Sequence, residues 1–97
     1  MRVVKKPVEF DWDKVNIGKN LSHEVEDKES EEAFLDENKV IFKDRLHSIV
    51  EERFVLLGKT NKNRLLYVIY TMREKKVRII SARDINKKEV RLYEEAT

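Results

Sequence analysis

Ninety-seven residues, 41% charged and 40% hydrophobic, make one small domain around one core. The absence of cysteine excludes disulfides and thiolate metal sites, and two histidines, His23 and His47, are too few for a histidine metal site. The net charge of +2 hides an asymmetry, since residues 1–57 sum to −4 and residues 58–97 to +6. That distribution suits a protein that meets a polyanion with one end, or one that carries a Lys-rich solvated surface there.

No apolar run nears the roughly 20 residues that span a bilayer, so no membrane partner is expected. The basic N-terminus lacks the apolar stretch of a signal peptide, and a cytoplasmic protein is the expectation. Val8-Glu9-Phe10-Asp11-Trp12 alternates apolar and acidic residues and predicts a short strand. Asp11 or Asp13 then offers a cap to a helix over 14–21, with Trp12 as a core anchor at the junction. A second helix is expected over 28–36. Asp27 is its cap, Glu29, Glu31 and Glu32 suit its positive N-terminal end, and Ala33, Phe34 and Leu35 supply apolar contacts. Segment 24–37 holds eight acids and one lysine, either a solvated face or a dock for a basic partner.

Strands follow at 40–42, 53–57, 65–72 and 77–81, rich in β-branched and aromatic residues, with 58–63 and 74–76 as hairpin connections. Residues 65–69 are apolar on both faces, which predicts a middle strand covered on both sides. Asn86 caps a last helix over 87–96, with Glu89 completing a capping box. The sum is an α+β fold, a small antiparallel β-sheet packed with helices, in one domain over 1–97.

Five arginines punctuate the sheet: Arg53, Arg64, Arg73, Arg78 and Arg83. A guanidinium fork binds phosphate through two parallel hydrogen bonds, so a cluster on one face would make a phosphate site. The alternative is ordinary ion pairing with Glu51, Glu52 or Asp84. Arg78 is the sharpest case, because it interrupts the run Val77-Arg78-Ile79-Ile80, and burying a guanidinium requires an anion. Ser81 and Arg83 follow at the strand's end. His47-Ser48 precedes Glu51 and Glu52 in a loop, where the histidine either moves protons or bonds to backbone. Tyr67, Tyr70 and Tyr93 offer faces for base stacking. No Gly-rich phosphate loop, HExxH or GxSxG is present, which argues against NTPase, zinc-protease and α/β-hydrolase chemistry.

Three stretches together resemble the BrnT family of type II toxins over residues 8–95. They are FDWD at 10–13 with Asn16, Lys19 and Asn20 following, then KDRLHSIVEERFVLLGKTNKNRLLYVIYTMR, and finally VRIISARDINKKEVRLYEE. The resemblance implies a RelE-like fold and a toxin that cleaves RNA and arrests translation, and the cleavage is expected to be metal-independent and to use no cofactor. It implies a BrnA-like ribbon-helix-helix antitoxin and a heterotetramer with it, with operator DNA bound only through that complex. On matching positions it puts Arg53, Arg64, Arg73, Arg78 and Arg83 where the family carries basic residues, and the expectation is phosphate contact by Arg78 and Arg83, with Arg53 and Arg73 supporting and His47 or Glu52 handling protons. Lys19, His23, Arg64, Arg73 and Ser81 become substrate-binding candidates. His23 matches the histidine of the family's usual Lys-His-Gly turn, but here the lysine is missing and Glu24 stands where glycine is usual. A lost glycine alters a turn, so a weakened toxin that serves as partner of a DNA-binding antitoxin is one rival. A nucleic-acid-binding domain without chemistry is the other. Residues 1–6 precede the family's usual start.

Overall fold

A computed structural model describes residues 8–45 and 51–96. The expected extension over 1–6, and His47 with Ser48, lie outside the described residues. Four strands, β1 Val40–Lys43, β2 Phe54–Lys59, β3 Leu65–Arg73 and β4 Lys76–Asp84, pair antiparallel in chain order. Helix α1, Asp27–Phe34, packs on one face of the sheet, and α2, Lys87–Ala96, covers the other over β1 and β2. The expected α+β architecture is therefore present, with β2 and β3 both interior.

Alternation along β3 explains the two-sided core. Leu66, Val68 and Tyr70 join Leu56, Val77 and Ile79 beneath Ala33 and Phe34. Phe34 meets Phe10 and Tyr70 edge-on at 5.7 and 5.2 Å between ring centres, a favoured quadrupole geometry. On the other face Tyr67 and Ile69 join Val55 and Leu57 around Tyr93 of α2. The Tyr93 hydroxyl donates to Asp36 Oδ2 at 2.6 Å, and the same oxygen accepts the Lys59 N–H at 2.9 Å. Burial, with Asp36 adding to it, pushes the Tyr93 hydroxyl up to about 12. Asn86 and Glu89 form the expected capping box at the start of α2, both bonds 2.9 Å.

The N-terminal third departs from the expectation. The strand over 8–12 reduces to one parallel bridge, Phe10 to Val77, flanked by Asp11 N–H to the Val77 carbonyl and Val77 N–H to the Glu9 carbonyl. The helix over 14–21 is replaced by turns that end in a 3-10 helix, Lys19–His23. Two features defeat the α-helix. Gly18 sits in the left-handed region at φ 66, and the Asn16 and Asn20 side chains turn inward to bond the strands. Glu26, not Asp27, caps α1, in a capping box with Glu29. The Asp27 carboxylate instead accepts the Gly18 N–H at 3.0 Å.

Two turn assignments shift as well. Gly58 and Lys59 belong to β2 rather than to the hairpin connection. Gly58 is needed there because α1 crosses the strand so closely that a Cβ would collide with the Ala33 carbonyl. The β3–β4 hairpin uses only two loop residues, Glu74 and Lys75, both left-handed at φ 52 and 67, the twist that matches paired strands. Along β4 the register slips, with Ile69 opposite Ser81 and Tyr70 opposite Ile79, so that Ile80 is an extra, bulged residue.

Two substitutions test this packing. Gly58→Ala should destabilise the fold by about 3 kcal/mol, because helix and strand must part. Lys75→Gly should stabilise it by about 1 kcal/mol, by removing a Cβ from a left-handed position. Urea midpoints of both variants beside the parent check the two signs.

Candidate functional site

The bulge decides which β4 side chains share a face. Strict alternation would put Arg78 opposite in orientation to Ser81 and Arg83. With Ile80 extruded, Arg78 pairs across from Thr71, Ser81 from Ile69 and Arg83 from Tyr67. Thr71, Ile69 and Tyr67 alternate along one face of β3, so Arg78, Ser81 and Arg83 line the same face.

A cleft of about 250 Å³ opens at one end of that face. Lys19, Arg53, Arg73 and Arg78 line it, with Glu51, Asn16 and Val15. The 3-10 segment supplies Lys19, the chain just before β2 supplies Arg53, the end of β3 Arg73 and the start of β4 Arg78. Four cations distant in sequence thus converge. Their electrostatic states differ. Arg78 is 8% exposed. Its two Nη atoms each donate to one Asp13 oxygen at 3.0 Å, and Asp11 Oδ2 lies 3.5 Å from Nη1. The hydrogen bond from Arg78 holds the Asp13 carboxyl below its ordinary value, and Asp13 raises the Arg78 pKa in return. Arg53 lies 3.5 Å from Glu51. Lys19 and Arg73 are exposed, and their charged groups make no ion pair among the described residues. Free positive charge in the cleft therefore belongs to Lys19 and Arg73.

Asp13 is fixed in turn. Its N–H donates to Asn16 Oδ1 at 2.8 Å, and its Oδ1 accepts the Val15 N–H at 2.9 Å. Asn16 Nδ2 donates to the Asp11 and Ile79 carbonyls at 2.9 and 3.2 Å. The sequence marked Asp13 only as a helix cap. The signal for its real place was the need of Arg78 for an anion, met by the acid-rich FDWD stretch.

The other expected site residues fall elsewhere. Arg83 lies further along the face, its Cζ 3.9 Å above the Tyr67 ring, and forks onto Glu89 at 3.0 and 2.8 Å. Burial works against the Glu89 charge, yet Arg83 and the Asn86 N–H keep its pKa lowered. Ser81 sits between the Arg78 and Arg83 positions on β4. Arg64 is far from the cleft and fully engaged. It bonds Asp84, Glu29 and the carbonyls of Glu24 and His23, and these carboxylates raise its pKa. His23 is exposed beside it, in the last turn of the 3-10 helix. Glu24 takes the left-handed φ of 59 that follows that helix, a conformation in which glycine is unstrained. Glu52 is exposed, and its carbonyl accepts the Thr71 hydroxyl at 2.7 Å. The carboxylate lining the cleft is its neighbour Glu51. His47 lies outside the described residues. Among the described residues no three His, Asp or Glu side chains come together as a metal ion would require, and no helix is long and apolar enough to cross a membrane.

The Arg78–Asp13 pair has a testable pH signature. Folding lowers the Asp13 pKa, so the pairing stabilises the fold above pH 3.8 and is lost as pH falls through the folded value. Carboxyl NMR titration should place Asp13 below 3.8. In Arg78→Gln it should move back up toward that value.

No curated protein matches this chain closely enough to count as a relative. A family model does match, over residues 12–89, and it describes the ribonuclease toxin BrnT of type II toxin–antitoxin systems. The match runs from Trp12 to Glu89 and includes every residue of the cationic cleft. With four-fifths of its length inside that model, the chain belongs to the BrnT family of ribonuclease toxins.

Proposed function

We propose that this chain is a metal-independent endoribonuclease toxin with a RelE-like fold, which cuts RNA at the cationic cleft and so arrests translation. The observation that supports it is the convergence of Lys19, Arg53, Arg73 and Arg78 on one cleft in a member of a ribonuclease toxin family. The substrate supplies its own nucleophile. The ribose 2′-oxygen bonds to the adjacent phosphorus as the P–O5′ bond breaks. One protein group takes the 2′-hydroxyl proton and another returns a proton to the 5′-oxygen. Lys19 and Arg73 bind the non-bridging oxygens, where charge grows in the transition state and preorganised cations act most. Arg53 and Arg78 complete the positive wall, and Arg83 with Ser81 extends it along the strand toward Tyr67. Glu51 and Glu52 are the carboxylates at hand for proton transfer, and His47 is the third proton handler. The inhibitor is a BrnA-like ribbon-helix-helix antitoxin, in a heterotetramer that carries the chain to operator DNA.

A second reading rests on one observation. Arg78 and Arg83 both have their guanidinium edges taken by carboxylates. A catalytically weakened homologue that only binds its antitoxin would tolerate that arrangement.

Purified chain, free of antitoxin, should cut naked RNA in the presence of a chelator and leave 5′-hydroxyl ends. Arg73→Ala should cut about a hundredfold more slowly with an unchanged melting curve, since Arg73 is exposed and makes no ion pair among the described residues. Loss of cutting on chelation would overturn the metal-free mechanism, and equal rates would remove Arg73 from it. No cutting by either protein would favour the second reading.

A further inference from the structure

The loop before α1 is built inside out. In Val15-Asn16-Ile17-Gly18-Lys19-Asn20-Leu21 the two asparagine side chains point inward and the apolar ones outward. Asn16 and Asn20 are 3% and 2% exposed, whereas Val15, Ile17 and Leu21 are 73%, 59% and 58% exposed. These three are the most exposed large apolar residues among those described. The loop is not loose. Asn16 bonds the Ile79 carbonyl, Asn20 accepts the Ala82 N–H at 3.0 Å, and the Gly18 N–H is held by the Asp27 carboxylate. Buried asparagines thus hold apolar side chains in water, an arrangement that adds nothing to the stability of the isolated chain. Clustered exposed apolar surface of this kind marks an interaction site.

Two observations define the occupant. Val15 also lines the cationic cleft, so the apolar patch runs into Lys19, Arg53 and Arg73. The patch itself is aliphatic, with no ring on which a nucleic-acid base could stack. We infer that the 15–21 loop and the adjoining cleft form the docking surface for a protein segment that carries aliphatic and acidic side chains together. Its apolar residues cover Ile17 and Leu21 while its carboxylates enter the cleft. The inference rests on the toxin–antitoxin reading, because the segment is assigned to the antitoxin. It gives that partner a mode of inhibition: its acids take the positions of RNA phosphates, and the aliphatic contact supplies affinity that RNA cannot match.

The test uses the purified chain and a cognate BrnA-like ribbon-helix-helix antitoxin. Binding is measured by calorimetry for the parent, for Ile17→Ser/Leu21→Ser, and for Leu92→Ser, which alters an exposed leucine on α2. RNA cleavage, melting curves and sedimentation of each free protein accompany it. The double variant should bind antitoxin roughly 30- to 100-fold more weakly, with an unchanged melting curve and RNA cleavage equal to the parent's. Leu92→Ser should bind as the parent does. A parallel loss in the double variant while the parent itself cuts no RNA would uphold the docking surface and sink the nuclease reading alone. Antitoxin affinity unchanged within twofold would overturn the inference. So would failure of the parent to bind antitoxin at all. Loss of RNA cleavage with intact antitoxin binding would assign the loop to RNA, and a parent dimer that the double variant dissolves, antitoxin affinity intact, would assign it to a second copy of the chain.

Discussion

A guanidinium with 8% exposure sits in the last strand of this sheet, and its neutralisation organises the N-terminal half of the fold. Left alone, a buried charge of that kind costs several kcal/mol. Asp13 and Asp11 remove the cost by drawing residues 9–16 alongside β4, where Asp11 and Val77 exchange backbone contacts with their neighbours and Asn16 ties the turn to Ile79. Once that turn is fixed, the 3-10 segment must follow, and with it Lys19. The same ion pair that stabilises the sheet edge therefore delivers a cation to the cleft. Structure and site are not separable here.

Arginine pairing divides the five sheet arginines into different kinds. Arg64 is saturated by two carboxylates and two carbonyls and acts as a clasp between β3, β4 and the start of α1. Arg83 is stacked and forked, joining the sheet to the first turn of α2. Arg73, by contrast, stands exposed at a strand end. A residue type that looks uniform in the sequence is thus distributed between holding the fold and presenting charge. Location alone does not tell which; the partners do.

Much of the sheet was legible because alternation is a local property. Residues 65–69 are apolar at every position, and only a strand covered on both sides accepts that. The capping box at Asn86 and Glu89 was equally local. The failures share a cause, which is that distant groups overrode local preference. Segment 14–21 has a cap and a helix-like length, yet Asn16 and Asn20 bond strands more than sixty residues away. Gly58 reads as a turn residue, and only the closeness of Ala33 explains its place in a strand. The sequence named Lys19, Arg53, Arg73 and Arg78, which converge on one cleft, and offered Glu51 as an arginine partner, but Asp13 as the partner of Arg78 is a contact made only in the tertiary structure. His47, one of the two expected proton handlers beside Glu52, lies outside the described residues.

The extruded Ile80 has a consequence for how relatives of this chain can vary. Length changes in proteins usually collect in loops, where they are absorbed. Here one residue inside a strand is left out of the count, and the residues on either side alternate as if it were absent. Deleting Ile80 would therefore leave Arg78, Ser81 and Arg83 on one face and Ala82 in the core. Drawing it into the ladder would instead turn Ser81 and Arg83 toward the core and Ala82 toward the cleft face. A relative one residue shorter at this point keeps the same site, whereas an alignment that puts the gap elsewhere in the strand would match cationic positions with buried ones.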